Sequence, residues 1–171
     1  MPVASPPTGV SAGELIRWAF AALNEQDVQA LRDSWSDSIV ERFPDVTLHG
    51  RDEVAAYFEA LFAAVPDFHI EIKALVEQGE EVFVRWHLTG THSGAPFQGI
   101  APAGRSLAID GIDHFVVRDG LVMSNFVVYD QMQFARQIGL LPGDGSAGDR
   151  AAKAAFNART RLLARLRERR R

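Results

Sequence analysis

Phe83, Arg85, His87 and Thr89 alternate along one stretch with Val82, Val84, Trp86 and Leu88. If residues 82–91 form a strand, the two sets occupy opposite faces, because successive side chains of an extended chain point to opposite sides. The polar set is expected to look into a cavity. The same alternation sends Gly111, Asp113, Phe115 and Val117 inward from one further strand and Asn125, Val127 and Tyr129 from another. Together they would supply a carboxylate, an imidazole, a guanidinium, an amide and a phenol to an apolar chamber, which is equipment for proton transfer. A carboxylate in such a chamber takes a raised pKa through desolvation, although Arg85 nearby would favour its charged form. Asp113 is therefore read as general acid or base, His87 as its partner or a hydrogen-bond donor to substrate, and Arg85 as the stabiliser of enolate or carboxylate charge. A plainer reading is also open: Asp113 and Arg85 as a buried structural ion pair, with His87 a satisfied interior side chain.

Other chemistries find less support. With no cysteine there is no disulfide, no thiolate nucleophile and no thiolate metal site. His49, His69, His92 and His114 form no helical His-x-x-x-His pair, so no metal is expected. Neither a GxxxxGK[ST] loop nor a GxGxxG turn is present, so no nucleotide cofactor is indicated.

The elements that must hold these residues are legible from periodicity and punctuation. Ser11 with Glu14 three positions on forms a capping-box pattern, and Leu15, Ile16, Ala19, Phe20 and Leu23 recur at helical spacing. Helices are predicted over 12–24 and 26–34, a short strand over 38–43, and a third helix from Gly50 to about Ala64, stopped by Pro66–Asp67. Four β-branched and aromatic segments follow, Phe68–Val76, Val82–Thr91, Ser106–Val117 and Leu121–Tyr129. Tight turns fall at Gly79–Glu80 and Asp119–Gly120, and Ser93–Gly104 is a long connection at the mouth of the sheet. Gln131–Ile138 is a final short helix, capped by Asp130. Helices first and antiparallel strands afterwards is the α+β order. The expected architecture is a curved, mostly antiparallel sheet covered on one face by the helices, which together enclose a pocket.

Composition sets the outer limits. The chain has 171 residues, 47% of them hydrophobic and 23% charged, enough apolar surface for one core. Residues 1–12 are expected to be a loose arm, 13–142 the cavity domain and 143–171 a linker with a basic helical tail. Residues 144–171 carry nine Lys or Arg against three acids, leaving a net charge of −10 on residues 1–143. An acidic body argues against nucleic-acid binding by the core. The tail is expected to pack lightly on that body or on a sister subunit, with nucleic acid or a membrane surface as alternatives. The first residues lack a secretory signal and no apolar run reaches about 18 residues, so the expected location is the cytoplasm.

Several strings resemble the SnoaL-like polyketide cyclases of the nuclear-transport-factor-2-like superfamily. They are Pro66–Asp67, Val84–Arg85–Trp86, the Gly90–Gly94 segment, the run Gly99–Arg105, Gly111–Ile112–Asp113, the Asp119–Gly120 hairpin, Asp130 and Gln137–Leu140. The resemblance implies an α+β cone-shaped barrel of one strongly bent, mostly antiparallel sheet with three to four helices, frequent dimerisation and a cavity for a hydrophobic small-molecule substrate. It also implies that the acid/base Asp of the aldol cyclases falls at Val127, their neighbouring His at Asp113 and their cavity Asn at Glu41. A carboxylate relocated from position 127 to Asp113 on the adjacent strand would restore an acid/base group. Trp18, Glu41, Tyr57, Phe115, Asn125, Val127 and Tyr129 are the expected substrate-binding residues. A homodimer is expected, with the row containing Trp86 outermost and in need of cover. The activity implied is that of a cofactor-independent cyclase of a polyketide-like or polyene intermediate. The rivals are a non-catalytic ligand-binding protein and an isomerase or epoxide hydrolase of lipophilic compounds.

Overall fold

The computed structural model describes residues 5–168, so the ends of the expected arm and tail lie outside the described residues. Helix α1 (Ala12–Asn24) starts on the capping box: Glu14 N–H donates to Ser11 Oγ, and Ser11 N–H to Glu14 Oε2. Its far end is clamped to a strand by the Asn24 side chain, which donates to the Ile70 carbonyl at 2.9 Å and accepts from the Ile70 N–H at 2.7 Å. After α2 (Val28–Asp33) come strands β1 (Trp35–Arg42) and β2 (Thr47–His49), then α3 (Gly50–Ala64). Strands β3 (His69–Gln78), β4 (Glu81–His92), β5 (Arg105–Arg118) and β6 (Leu121–Tyr129) follow, and helices α4 (Gln131–Gln137) and α5 (Ala147–Glu168) complete the order.

The six strands form one sheet in the order β2-β1-β6-β5-β4-β3, antiparallel throughout except for the β1–β6 pair. This is the expected α+β cone. Register shifts between Trp35 and Val40, Ile72 and Ala74, and Val116 and Val117 put local kinks into three strands, and such irregularities increase bending and twist. The sheet therefore curls around a hollow instead of lying flat. At the β5–β6 hairpin both Asp119 (φ 51) and Gly120 (φ 74) take the left-handed conformation that a two-residue turn of matching twist requires.

Helix α1 and α3 lie over the concave face, and the core gathers there around Leu15, Ile16, Ile39, Val54, Val82 and Val84. Row orientation in β4 reverses the expectation: Val82, Val84 and Trp86 are buried inward, while Phe83 and Arg85 are exposed outside. Burying a large apolar side chain is worth about 1.5–3 kcal/mol, whereas an enclosed guanidinium without close partners costs several. The apolar row therefore takes the inside.

The connection between β4 and β5 is seated on α3. Gly94 and Ala95 N–H groups donate to the Ala64 and Ala63 carbonyls, and Gly94 is needed because a Cβ there would stand 2.0 Å from the Ala63 oxygen. Buried Phe97 anchors the segment, and the Gln98 amide donates to Asp45 Oδ2 at 2.7 Å, tying it to the β1–β2 turn. Helix α5 differs from every other element. Beyond Asp149 all its described residues are exposed, so it stands clear of the acidic body, one of the two surfaces on which packing was expected.

Candidate active site

The hollow between helices and sheet has a volume of about 130 Å³ and walls that are mostly apolar and aromatic. Phe43 stacks on Tyr57 at 4.4 Å between centroids, and Tyr57 meets Phe97 edge-on at 5.5 Å. Polar groups are few and come from known positions in the sheet register. Glu41 of β1 lies opposite Asn125 of β6, and Asn125 opposite Phe115 of β5. Two residues along β5, Asp113 lies between Val84 and Val127, and Trp86 lies opposite Gly111. A Cβ on Gly111 would come within 2.1 Å of the Trp86 ring, so this glycine gives the indole the room to lie flat across β5.

Asn125 donates its amide N–H to Glu41 Oε1 at 2.8 Å. Its own Oδ1, together with Asp113 Oδ1 and Trp86 Nε1, is buried without a hydrogen-bond partner. The indole N–H and the Asn125 amide stand near enough to Asp113 to favour its charge, but neither makes a hydrogen bond of normal geometry to Oδ1. Burial dominates and pushes the Asp113 carboxyl up to about 7. Burial first, then the Asp113 charge, pushes Glu41 up to about 8, against the Asn125 hydrogen bond. Burial likewise raises the Tyr57 phenol well above its ordinary value and that of Tyr129 to about 12. Among the described residues lining the hollow, Glu41, Asp113, Tyr57 and Tyr129 are the titratable ones, and none is a cation. Such a chamber can hold and move a proton on a carboxyl and can offer N–H and O–H donors to an oxygen. It disfavours a second negative charge.

Of the expected site residues, Asp113, Glu41, Tyr57, Phe115, Asn125, Val127 and Tyr129 all line the hollow. Arg85, His87 and Trp18 do not. Arg85 sits on the convex face opposite Ala74 and Ile112, so neither the ion pair with Asp113 nor a His87–Arg85–Asp113 arrangement forms. His87 Nδ1 instead lies 3.1 Å from Asp110 Oδ1 on that outer face. Trp18 is half-buried and packs against the core from α1 without entering the cavity wall. Trp86, expected outermost, is 5% exposed and lines the cavity. Its inward position had a signal in the sequence: Gly111, assigned inward, is its cross-strand neighbour, and a bulky ring needs such a gap. Among the described residues no group of three or more His, Cys, Asp or Glu could hold a metal ion.

A family model for the SnoaL-like polyketide cyclases matches residues 13–138, and the chain belongs to this family. The cone-shaped cavity fold is shared with solved structures. AclR of Streptomyces galilaeus, a candidate hydroxylase, is 24% identical over 94% of this chain and 96% of its own, with a TM-score of 0.69. TsrD of Streptomyces laurentii is 26% identical over 76% of this chain and 96% of its own, with a TM-score of 0.67. IdmH of Streptomyces antibioticus, a candidate polyketide cyclase, is 23% identical over 76% and 99%, at 0.64. No curated protein sequence matches the chain significantly. No described helix is long and apolar enough to cross a membrane.

Proposed function

We propose that the protein is a cofactor-independent cyclase of a polyketide-like intermediate in a biosynthetic pathway, with Asp113 as its acid/base group. The observation that carries this reading is the Asp113 carboxyl: enclosed at the wall of an aromatic hollow, with one oxygen unpartnered and its pKa at about 7. A group with a pKa near the working pH is best suited to take a proton and give it back. In this reading Asp113 removes a proton from a carbon beside a carbonyl, while the indole N–H of Trp86 is a donor to the enolate oxygen. The walls hold one folded conformer, and that restriction itself removes several kcal/mol of barrier.

A hollow of about 130 Å³ encloses roughly one ring, because a dry cavity of about 150 Å³ accommodates benzene. The reacting ring is placed inside and the remainder of a larger intermediate toward the mouth. Replacing Asp113 with Asn, with folding verified, is expected to lower turnover by about 10²–10⁴-fold, the usual contribution of a positioned acid or base. Unchanged turnover would remove Asp113 from the chemistry. Tight binding of intermediates with no product from the wild-type protein would make it a ligand-binding protein instead.

A further inference from the structure

Resting on the reading of Asp113 as acid/base group, we propose that Glu41 and Asp113, which face one hollow from either side of β6, form one acid–base couple that enolises an uncharged ketone. The two carboxyls come from β1 and β5 and meet at the same hollow on either side of the β6 strand that carries Asn125. Asn125 holds one oxygen of Glu41, which leaves the other for a proton, while Asp113 has an oxygen free to act as base. Two such groups enclosed together without a lining cation hold a proton between them near neutral pH, so one is acid while the other is base. Burial acts in that direction on both groups, and the Asp113 charge adds to it on Glu41. The other titratable groups facing them are the phenols of Tyr57 from α3 and Tyr129 from β6, both raised and neutral in this range.

The steps balance without a co-reactant. Asp113 takes a proton from the carbon beside the carbonyl, that C–H pair becomes the C=C bond, and the carbonyl oxygen takes the proton of Glu41. In ring closure the enol carbon attacks a second carbonyl, the enol O–H returns its proton to Glu41, and the new alkoxide takes the proton held by Asp113. Both carboxyls end as they began, and the product is an isomer of the substrate. An anion such as a carboxylate would face the negative charge of the couple, which makes the substrate class an uncharged, enolisable dicarbonyl compound.

The test uses acetophenone, a single-ring ketone, and benzoate, its anionic counterpart of similar size. In deuterium oxide at pH 7.5 the full chain is expected to accelerate deuterium exchange into the acetophenone methyl group, read by NMR. Glu41→Gln is expected to slow the exchange by about 10²-fold with acetophenone affinity kept, and Asp113→Asn to abolish it. Benzoate is expected to bind at least about tenfold more weakly than acetophenone, because it brings a second charge to a mostly apolar site. Wild-type exchange that Glu41→Gln leaves unchanged would overturn the couple while sparing Asp113. Absence of wild-type exchange with acetophenone bound would overturn both the couple and the enolising reading. Carboxyl-carbon NMR of the wild-type protein supplies a measurement that needs no variant. Two carboxyls titrating in separate steps above pH 6 are expected, and all carboxyls titrating below pH 5 would overturn the couple.

Discussion

Glu41 and Asp113 cost the folded chain stability in proportion to how far burial displaces them. Both carboxyls keep a proton in the folded state, up to about 8 and about 7, that the unfolded chain releases near its ordinary values of 4.5 and 3.8. Between about pH 4 and pH 8 the native state therefore binds more protons than the unfolded one, and stability falls as pH rises through that window. The protein is expected to be more stable at pH 5 than at pH 8.5, by on the order of a few kcal/mol from this pair. Denaturant titrations of wild type, Asp113→Asn and Glu41→Gln at the two pH values check this. Each variant should flatten the dependence, and an unaltered slope would mean that the carboxyls are solvated. Asn125 Oδ1 and Trp86 Nε1 are likewise buried at this cavity without a hydrogen-bond partner.

At the level of elements, local chemistry decided the boundaries well. Ser11 with Glu14 opens α1, Asp130 caps α4 by accepting from the Met132 and Gln133 N–H groups, and the Asp119–Gly120 turn closes the last hairpin. Strand β2 was not legible because three residues carry too little alternation, and β1 begins three residues before its predicted start. Helix α5 was legible in composition, yet its surroundings were not. Phe156 and Leu162 remain 65% and 58% exposed, so the helix adds little buried surface to its own body. Removal of residues 147–171 is expected to change the unfolding free energy by less than about 0.5 kcal/mol, as for most surface changes. Chemical denaturation of the shortened chain measures this, and a loss of several kcal/mol would show that the helix docks on the domain.

For the whole molecule, the convex face of the sheet is an exposed surface that carries apolar side chains. Val76, Phe83, Ile112, Phe126 and Val128 expose apolar area there, Phe83 stacks on His114 at 4.2 Å, and Arg42 lies 5.0 Å from the Phe126 ring centre. Contiguous exposed apolar surface on a sheet face is a recognised mark of an interaction site. We propose that it is the homodimer interface, in place of the Trp86 row that the structure turns inward. Ile112→Glu places a charge at its centre and is expected to convert the dimer to monomer in light scattering, with the fold intact by circular dichroism. A wild-type protein that is monomeric at all concentrations would overturn the proposal.

The sequence by itself determined the order of every element except β2, the caps and turns, the family, and seven of the cavity residues, including Asp113 and Glu41. The elements follow from local backbone preference, the β5 and β6 cavity residues from alternation, which assigns residues to two faces of a strand, and Glu41 from the family resemblance. Alternation does not say which face is inside. That was decided by the sheet as a whole, where the Val82–Val84–Trp86 row gained burial against α1, β5 and the glycine at 111, and Arg85 and His87 were left to solvent. Tertiary structure alone also brought Glu41 to Asn125 across 84 positions of chain, because a contact between strands distant in sequence depends on the curl of the sheet between them.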